Sequence, residues 1–350
     1  MVNKMQNFAT TSVCTIIILV AMMILSQAQG IGVRSDIHDL GEKSVTWDSY
    51  TFPGFYYDID DDIGTENLTF RLSNIAQDKA SATLRDEPDD NGNRGIVYAT
   101  EAMPIDFGFW PWGQYDEIGF LGGEYFAAYD SNSTWDLSAT NQSVPFLYDK
   151  SENRNLMSDE LISELLNDDN TEQTFNSSTP LELDEGYNLS IKAIDSDSNK
   201  VNLELSKKGK IVDNKVIQPS IENADIGDQT YYYKKDLGDI KGIVIIAVHF
   251  KNVFRSSQSN IATIDGIFQI SDTPTSLTTG QQYDKMSIRL VDPTAMTITM
   301  DNKDNPITLT SNKDIALMGN IHLKTADQDD ISASNPLRYY IYSNESREYD

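Results

Sequence analysis

The chain of 350 residues carries 27 Lys and Arg against 54 Asp and Glu, a formal charge of −27, and one cysteine. These counts exclude a disulfide-stapled scaffold and a cysteine-based zinc ribbon, which need cysteine pairs. They also exclude nucleic-acid or anionic-lipid binding by phosphate neutralisation, because a two-fold acidic excess is repelled by such surfaces. The acidity does not signal disorder: 39% of residues are hydrophobic and 10% aromatic, whereas disordered acidic chains are poor in aromatics.

The chain opens like a secretory signal. Lys4 gives a weakly positive start, Val13 to Leu25 is an uncharged apolar run, and Ser26-Gln27-Ala28 offers small residues for cleavage after Ala28. The rival reading is an uncleaved anchor, but thirteen helical residues span roughly 20 Å, short of a hydrocarbon core of about 30 Å. Cys14 lies inside this run without a lipidation box, so the mature chain has no cysteine and is one unit more negative. No later segment approaches a membrane span.

Next comes the acidic run Asp58-Ile-Asp60-Asp61-Asp62. It is not an EF-hand, whose loop needs Gly sixth and Glu twelfth: from Asp58 those positions hold Ile63 and Thr69. Turn chemistry explains clustered Asp. Carboxylates this dense also repel unless solvated or bridged, which makes Asp60, Asp61 and Asp62 candidate ligands of a structural Ca²⁺ or Mg²⁺. No other cofactor is suggested. The loop Asp86 to Gly92 reads as solvated. Phe107-Gly-Phe-Trp-Pro-Trp112 with Tyr115, Tyr125, Phe126 and Tyr129 has two readings, the core of a cysteine-free sandwich or, through Trp110, Trp112 and Tyr115, a sugar-stacking platform.

The polar segments Asp130 to Val144 and Asp168 to Thr179 read as exposed loops. Between them, Ser158 as N-cap, Asp159 and Glu160 in a first turn, and the stripe Leu161, Ile162, Leu165, Leu166 predict one short helix ending near Asn167. Leu189 to Ile194, the turn Asp195 to Lys200 and Val201 to Leu205 predict a β-hairpin. That turn also begins like a calcium loop, but Lys200 and Ser206 stand at its sixth and twelfth positions, so turn chemistry is preferred. Ile243 to Phe250 has the length of a buried strand, and Asp284 to Val291 reads as another. Thr297 to Met300 and Ile307 to Thr310 predict a second hairpin across Asp301 to Pro306. The expected fold is all-β: two β-sandwich subdomains with one short helix. Residues 29–179 form the first, to which strands in 276–350 can return, and 180–275 form the second.

Catalytic machinery is hard to find. The histidines His38, His249 and His322 are far apart, and no H-E-x-x-H, G-x-S-x-G, P-loop or G-x-G-x-x-G occurs. His249 reads as a satisfied core or edge residue. Two carboxylates suffice for a glycosidase, but nothing in the sequence selects a pair. The chain is therefore expected not to be an enzyme. Six Asn-x-Ser/Thr sequons, at Asn67, Asn132, Asn141, Asn176, Asn188 and Asn344, are candidate glycan sites in an exported chain.

Several ordered segments carry a resemblance. They are Gly54 to Gly64 (GFYYDIDDDIG), Tyr115 to Tyr129 (YDEIGFLGGEYFAAY), Pro180 to Tyr187 (PLELDEGY) and the hairpin Ile194 to Leu205. Ile245 to Phe254, Ile264 to Phe268, Asp314 to Asn320 and Leu337 to Tyr342 follow. Together, from about residue 34 onward, the chain resembles the S-layer duplication domain of methanogenic archaea, the tile of the Methanosarcina-type surface lattice. The resemblance implies paired β-sandwiches tiling laterally with themselves or related tiles into a porous acidic layer, N-glycosylated, at the cell surface and without catalysis. Family members typically carry two copies, a Thr/Ser-rich stalk and a C-terminal anchor. One copy here, ending at Asp350, reads as an accessory component or the partner of a larger tile. The alternative function is a secreted or cell-surface binding module recognising glycans or another envelope protein.

Overall fold

The computed structural model describes residues 31–84, 95–133, 137, 142–195, 200–221, 224–255 and 260–345. The signal segment, the Asp86 to Gly92 loop, Asn141 and positions 196–199 of the first predicted hairpin turn lie outside the described residues. The fold is all-β, and the described strands form five hydrogen-bonded sheets, each of them antiparallel. No helix among the described residues is long and apolar enough to cross a membrane.

The largest sheet runs Thr230–Leu237, Ile240–Arg255, Asn260–Ile270, Leu161–Asp169, Gly123–Tyr129, Gln114–Phe120, Met103–Asp106. Its long strand Ile240–Arg255 is buried without a break from Gly242 to Phe250. That continuity is why its sequence reads as an apolar run: packing on both faces removes the need for polar alternation. The four-stranded sheet Leu181–Leu183, Tyr187–Asp195, Lys200–Lys207, Lys210–Ile217 packs against it. The predicted hairpin forms here, with Leu189 opposite Leu205 and Ile191 opposite Leu203. A bulge between Ile191 and Ala193 resets the alternation, so Ile194 also turns inward.

A second core lies under two other sheets. One runs Gln282–Tyr283, Met286–Asp292, Thr297–Asp301, Ile96–Glu101, Glu66–Arg71, Ser44–Asp48, and the other joins Ile31–Arg34 to Arg338–Glu345, Ile321–Thr325 and Asp314–Met318. Strands from both ends of the chain therefore share ladders. The Gln114–Phe120/Gly123–Tyr129 hairpin serves both cores: Tyr115, Phe126 and Tyr129 enter the first, and Ile118, Phe120 and Ala127 the second. Segments 103–129 and 161–176 pack with 181–270 in the first core.

Two expectations are corrected. Leu161–Asp169 is a strand, not a helix. It pairs with Gly123–Tyr129, Asn260–Ile270 and Thr275–Ser276, and a bulge between Leu165 and Asn167 absorbs the apolar doublet that mimicked a helical stripe. The helical start signals serve only the 3₁₀ turn Leu156–Asp159: Asn155 caps it, accepting from the Ser158 N–H at 3.2 Å, and Glu160 at φ 55° stops it. Helices form instead at Phe146–Lys150 and Ile226–Gln229. Second, Thr297–Asp301 and Ile307–Leu309 are not partners. The former pairs with Met286–Asp292 and Ile96–Glu101, the latter with Ala82–Leu84.

Candidate functional site: an acidic groove at the junction of the cores

The acidic run forms a tight turn closed by an antiparallel bridge between Asp58 and Ile63. Asp58 Oδ1 accepts from the Asp60 N–H at 2.7 Å and the Asp61 N–H at 3.1 Å, which accounts for an Asp at the first position. Asp62 adopts φ 57°, and its carboxylate accepts from the hydroxyls of Tyr57 and Tyr50. Asp60 and Asp61 are exposed on the turn.

A buried carboxylate hangs this turn on the body. Glu66, 1% exposed, accepts from the Tyr56 N–H at 2.7 Å, the Tyr98 hydroxyl at 2.7 Å and the Gly122 N–H at 3.1 Å. Beside it Thr65 and Thr100 hydroxyls lie 2.8 Å apart, Gly119 N–H donates to Thr65 and Thr100 donates to the Gly119 carbonyl. The turn is thereby held against the hairpin that joins the cores.

Between them lies a groove of about 730 Å³. Asp58, Asp60, Asp61, Asp106, Glu124, Asp168 and Asp169 line it with Tyr56, Tyr57 and Tyr115, and none of its lining residues is basic. Asp168 accepts from the Gly108 N–H at 3.0 Å and the Tyr115 hydroxyl at 3.2 Å. Gly108 suits this approach, since a Cβ there would crowd the Asp168 carbonyl oxygen at 3.0 Å. Burial pushes the Asp168 carboxyl up to about 7 despite those bonds. Burial also raises Asp61 and Glu124, with neighbouring carboxylates adding to the effect. Glu117, fully buried behind the groove, is pushed up to about 8. Burial is the main cause, the nearby Tyr56 hydroxyl opposes it, and the charges of Glu124, Asp58 and Asp61 add to it.

Of the sequence candidates, Asp60 and Asp61 reach the groove, whereas Asp62 is engaged by tyrosines and does not line it. Glu117, Glu124, Asp106 and Asp168 were missed. No local pattern marks them, since Tyr115-Asp-Glu-Ile-Gly-Phe120 does not alternate.

The aromatic cluster is core rather than platform. Trp112 and Tyr115 are buried, and only Trp110, 41% exposed, faces solvent among the three proposed stacking residues. Phe107 meets Phe268 edge-on at 4.9 Å, Trp112 Nε1 donates to Thr230 Oγ1 at 3.2 Å, and the Tyr129 hydroxyl donates to the Val244 carbonyl at 2.7 Å. His249 is a satisfied core histidine in mid-strand, 2.5 Å from Asp265 and stacked on Phe109. Among the sequons, Asn132 and Asn344 are exposed, while Asn67, Asn176 and Asn188 are half-buried. Asn176 Oδ1 also caps its own turn, accepting from the Ser178 and Thr179 N–H groups.

Antiparallel sheets over two cores with an acidic groove at their junction define an all-β body. The S-layer protein family model matches residues 37–327. The chain belongs to that family. It is similar to the Major S-layer protein of Methanosarcina acetivorans, 29% identical over 313 residues, which cover 86% of this chain and 38% of that protein. The Major S-layer proteins of Methanosarcina mazei and Methanosarcina barkeri are 28% and 26% identical over 96% of this chain, which spans 46% and 45% of their lengths. The chain thus spans less than half the length of the relatives named.

Proposed function

We propose that this chain is an exported structural component of an archaeal cell-surface layer, packing laterally with itself or with related, longer tiles. The observation that carries the reading is the family match across residues 37–327. The named relatives, each a Major S-layer protein, support the cell-surface assignment. The work of such a body is mechanical and electrostatic rather than catalytic. Two fused cores resist shear, and a charge of −27 makes gaps between copies favour cations over anions. Residues 1–28 act as the cleaved export signal, and Asn67, Asn132, Asn141, Asn176, Asn188 and Asn344 serve as glycan acceptors.

The test is fractionation of the native cell with antibody against this chain, followed by electron microscopy of the envelope fraction. Enrichment in a sheet-like fraction is expected, starting at residue 29 and with hexose-bearing tryptic peptides around the sequons. Recovery only from culture medium or cytosol would end the structural reading.

A further inference from the structure

We propose that the open edge of the four-stranded sheet, strand Lys210–Ile217, is a two-fold interface. There it pairs antiparallel with the same strand of a second copy of this chain, in the register that sets the two Asn214 residues opposite one another. The inference deepens the lateral packing proposed above and rests on it. It is read on the isolated chain in solution, so its failure would leave the cell-envelope assignment to the fractionation.

Among the described residues this strand is laddered only to Lys200–Lys207, so its other edge is open. An open edge is a template for another strand, and soluble chains blunt it with proline, bulges or cover. This one has a bulge opposite Leu205 and Ser206 but no proline, and it exposes Ile211, Val212 and Val216. Charge also singles it out. Residues 29–179 carry 29 Asp and Glu against 8 Lys and Arg, whereas residues 200–217 carry 2 against 5. Copies with a charge of −27 approach best where the local balance is not acidic.

Charge and alternation select the register. Directly opposite residues share a face, and like charges set opposite destabilise. Asp213 and Lys215 lie opposite the buried Leu205 and Leu203 and face inward, while Asn214 and Val216 lie opposite Glu204 and Asn202 and face outward. Registers that set inward residues against outward ones are thereby excluded. Of those centred near the middle of the strand, one centred on Asp213 opposes two carboxylates, and one centred on Lys215 opposes two ammonium groups. Centring on Asn214 sets Asp213 of each copy against Lys215 of the other and brings Val216 beside Ile211 and Val212. Lys215 lacks such a partner within its own copy. Its buried Nζ has no hydrogen-bond acceptor and lies 3.0 Å from the Tyr232 ring centroid, and burial pushes the ammonium down to about 8. Asp213 takes the Tyr231 hydroxyl on one oxygen at 2.8 Å, and a carboxylate accepts several donors. The two ends of the strand agree. Lys208 and Lys210 stand at its start, and Asp225 and Asp228 stand beyond its far end, where the Gln218 N–H donates to the Asp228 carbonyl at 2.9 Å. Antiparallel pairing sets the basic end of each copy against the acidic end of the other, and the contact closes as a two-fold dimer.

The test is sedimentation velocity of the full mature chain from about 1 to 100 µM, where a reversible dimer is expected. Asp213→Lys and Lys215→Asp each oppose like charges twice across the two-fold and should weaken the dimer at least about tenfold. Combining the two exchanges should restore it. Both positions are half-buried, so cysteines at two exposed positions carry the test even if these variants fail to fold. The mature chain has no cysteine of its own. Asn214→Cys meets its counterpart at the axis with Cα atoms about 5 Å apart, within reach of a disulfide. Ile211→Cys, on the same edge, stands about 20 Å from its counterpart in this register. Mild oxidation should cross-link Asn214→Cys and not Ile211→Cys. A chain that stays monomeric throughout, equal cross-linking of the two cysteines, or a folded double exchange as weak as the single ones would overturn the proposal.

Discussion

Replacing Glu66 by glutamine should flatten part of the pH dependence of stability. Glu66 lies 1% exposed beneath the acidic turn, and burial lifts its carboxyl from 4.5 to about 7. Three donors oppose the rise by favouring the anion: the Tyr56 N–H, the Tyr98 hydroxyl and the Gly122 N–H. The raised value means that the folded chain holds the Glu66 proton more tightly than the unfolded chain. Between pH 4.5 and 7 the folded state binds more protons, so stability falls as pH rises across that window. The contribution is greatest below the unfolded value and is lost once pH passes about 7. A rise of this size corresponds to about 3 kcal/mol at about 1.36 kcal/mol per pH unit. Urea unfolding of wild type and Glu66→Gln, measured from about pH 4.5 to 8, isolates this residue because other carboxylates cancel in the difference. The substituted glutamine keeps one acceptor for the Tyr56 N–H and cannot titrate. The wild-type advantage over the variant should therefore shrink by about 3 kcal/mol across the window. A difference that stays constant with pH, or grows as pH rises, would refute the account of Glu66 as a carboxyl dominated by burial.

Asp272 should show the opposite sign. Its 5% exposed carboxylate lies 2.5 Å from both Lys207 and Lys235 and accepts from the Tyr187 hydroxyl at 2.6 Å. Those partners hold it well below the usual range, so its stabilisation is present above about pH 4 and lost as pH falls further. Asp272→Asn should cost about 2 kcal/mol at neutral pH, discounted for the partly exposed lysines, and almost nothing in acid, as pH-resolved melts would register. Asn302, 0% exposed, accepts from the Ile96 N–H at 3.0 Å and donates to the Leu84 carbonyl at 2.9 Å. Asn302→Ala leaves both backbone groups stranded, so a loss of about 2–4 kcal/mol is expected by urea unfolding, and a loss below about 1 kcal/mol would contradict it. Trp112→Ala should cost about 3–5 kcal/mol, and Trp110→Ala, at a position 41% exposed, clearly less. Equal losses in thermal melts would mean that the division between core and surface aromatics is misassigned.

What the sequence disclosed and what it hid separate along contact range. The hairpin at Leu189 to Leu205 was readable because its two strands are neighbours in the chain and bury one face. The buried strand around Ile243 to Phe250 was readable because a strand covered on both faces needs no polar alternation. Leu161–Asp169 was misread because its helical pattern is local while its identity is not. Phe126 and Ile270, the partners of Ser163 and Leu165, are distant in sequence, and their ladders outweigh weak helical propensity. The same reason defeats the second hairpin. Thr297–Asp301 has Ile96–Glu101 as partner, far away along the chain. Turn signals mark where a strand ends but not which strand it meets.

The groove shows a further limit, one of satisfaction rather than position. Glu66 and Glu117 both occupy buried strand positions, and nothing in their immediate sequence distinguishes them. Their difference arises from groups brought in by tertiary folding. Tyr56 and Gly122 point backbone N–H groups at Glu66 and make it a structural hub. Glu117 receives no such backbone donors, and burial pushes its carboxyl up to about 8 against the opposing Tyr56 hydroxyl. Replacing Glu117 by a well-packed apolar residue would relieve the cost of burying a polar group that no backbone donor satisfies.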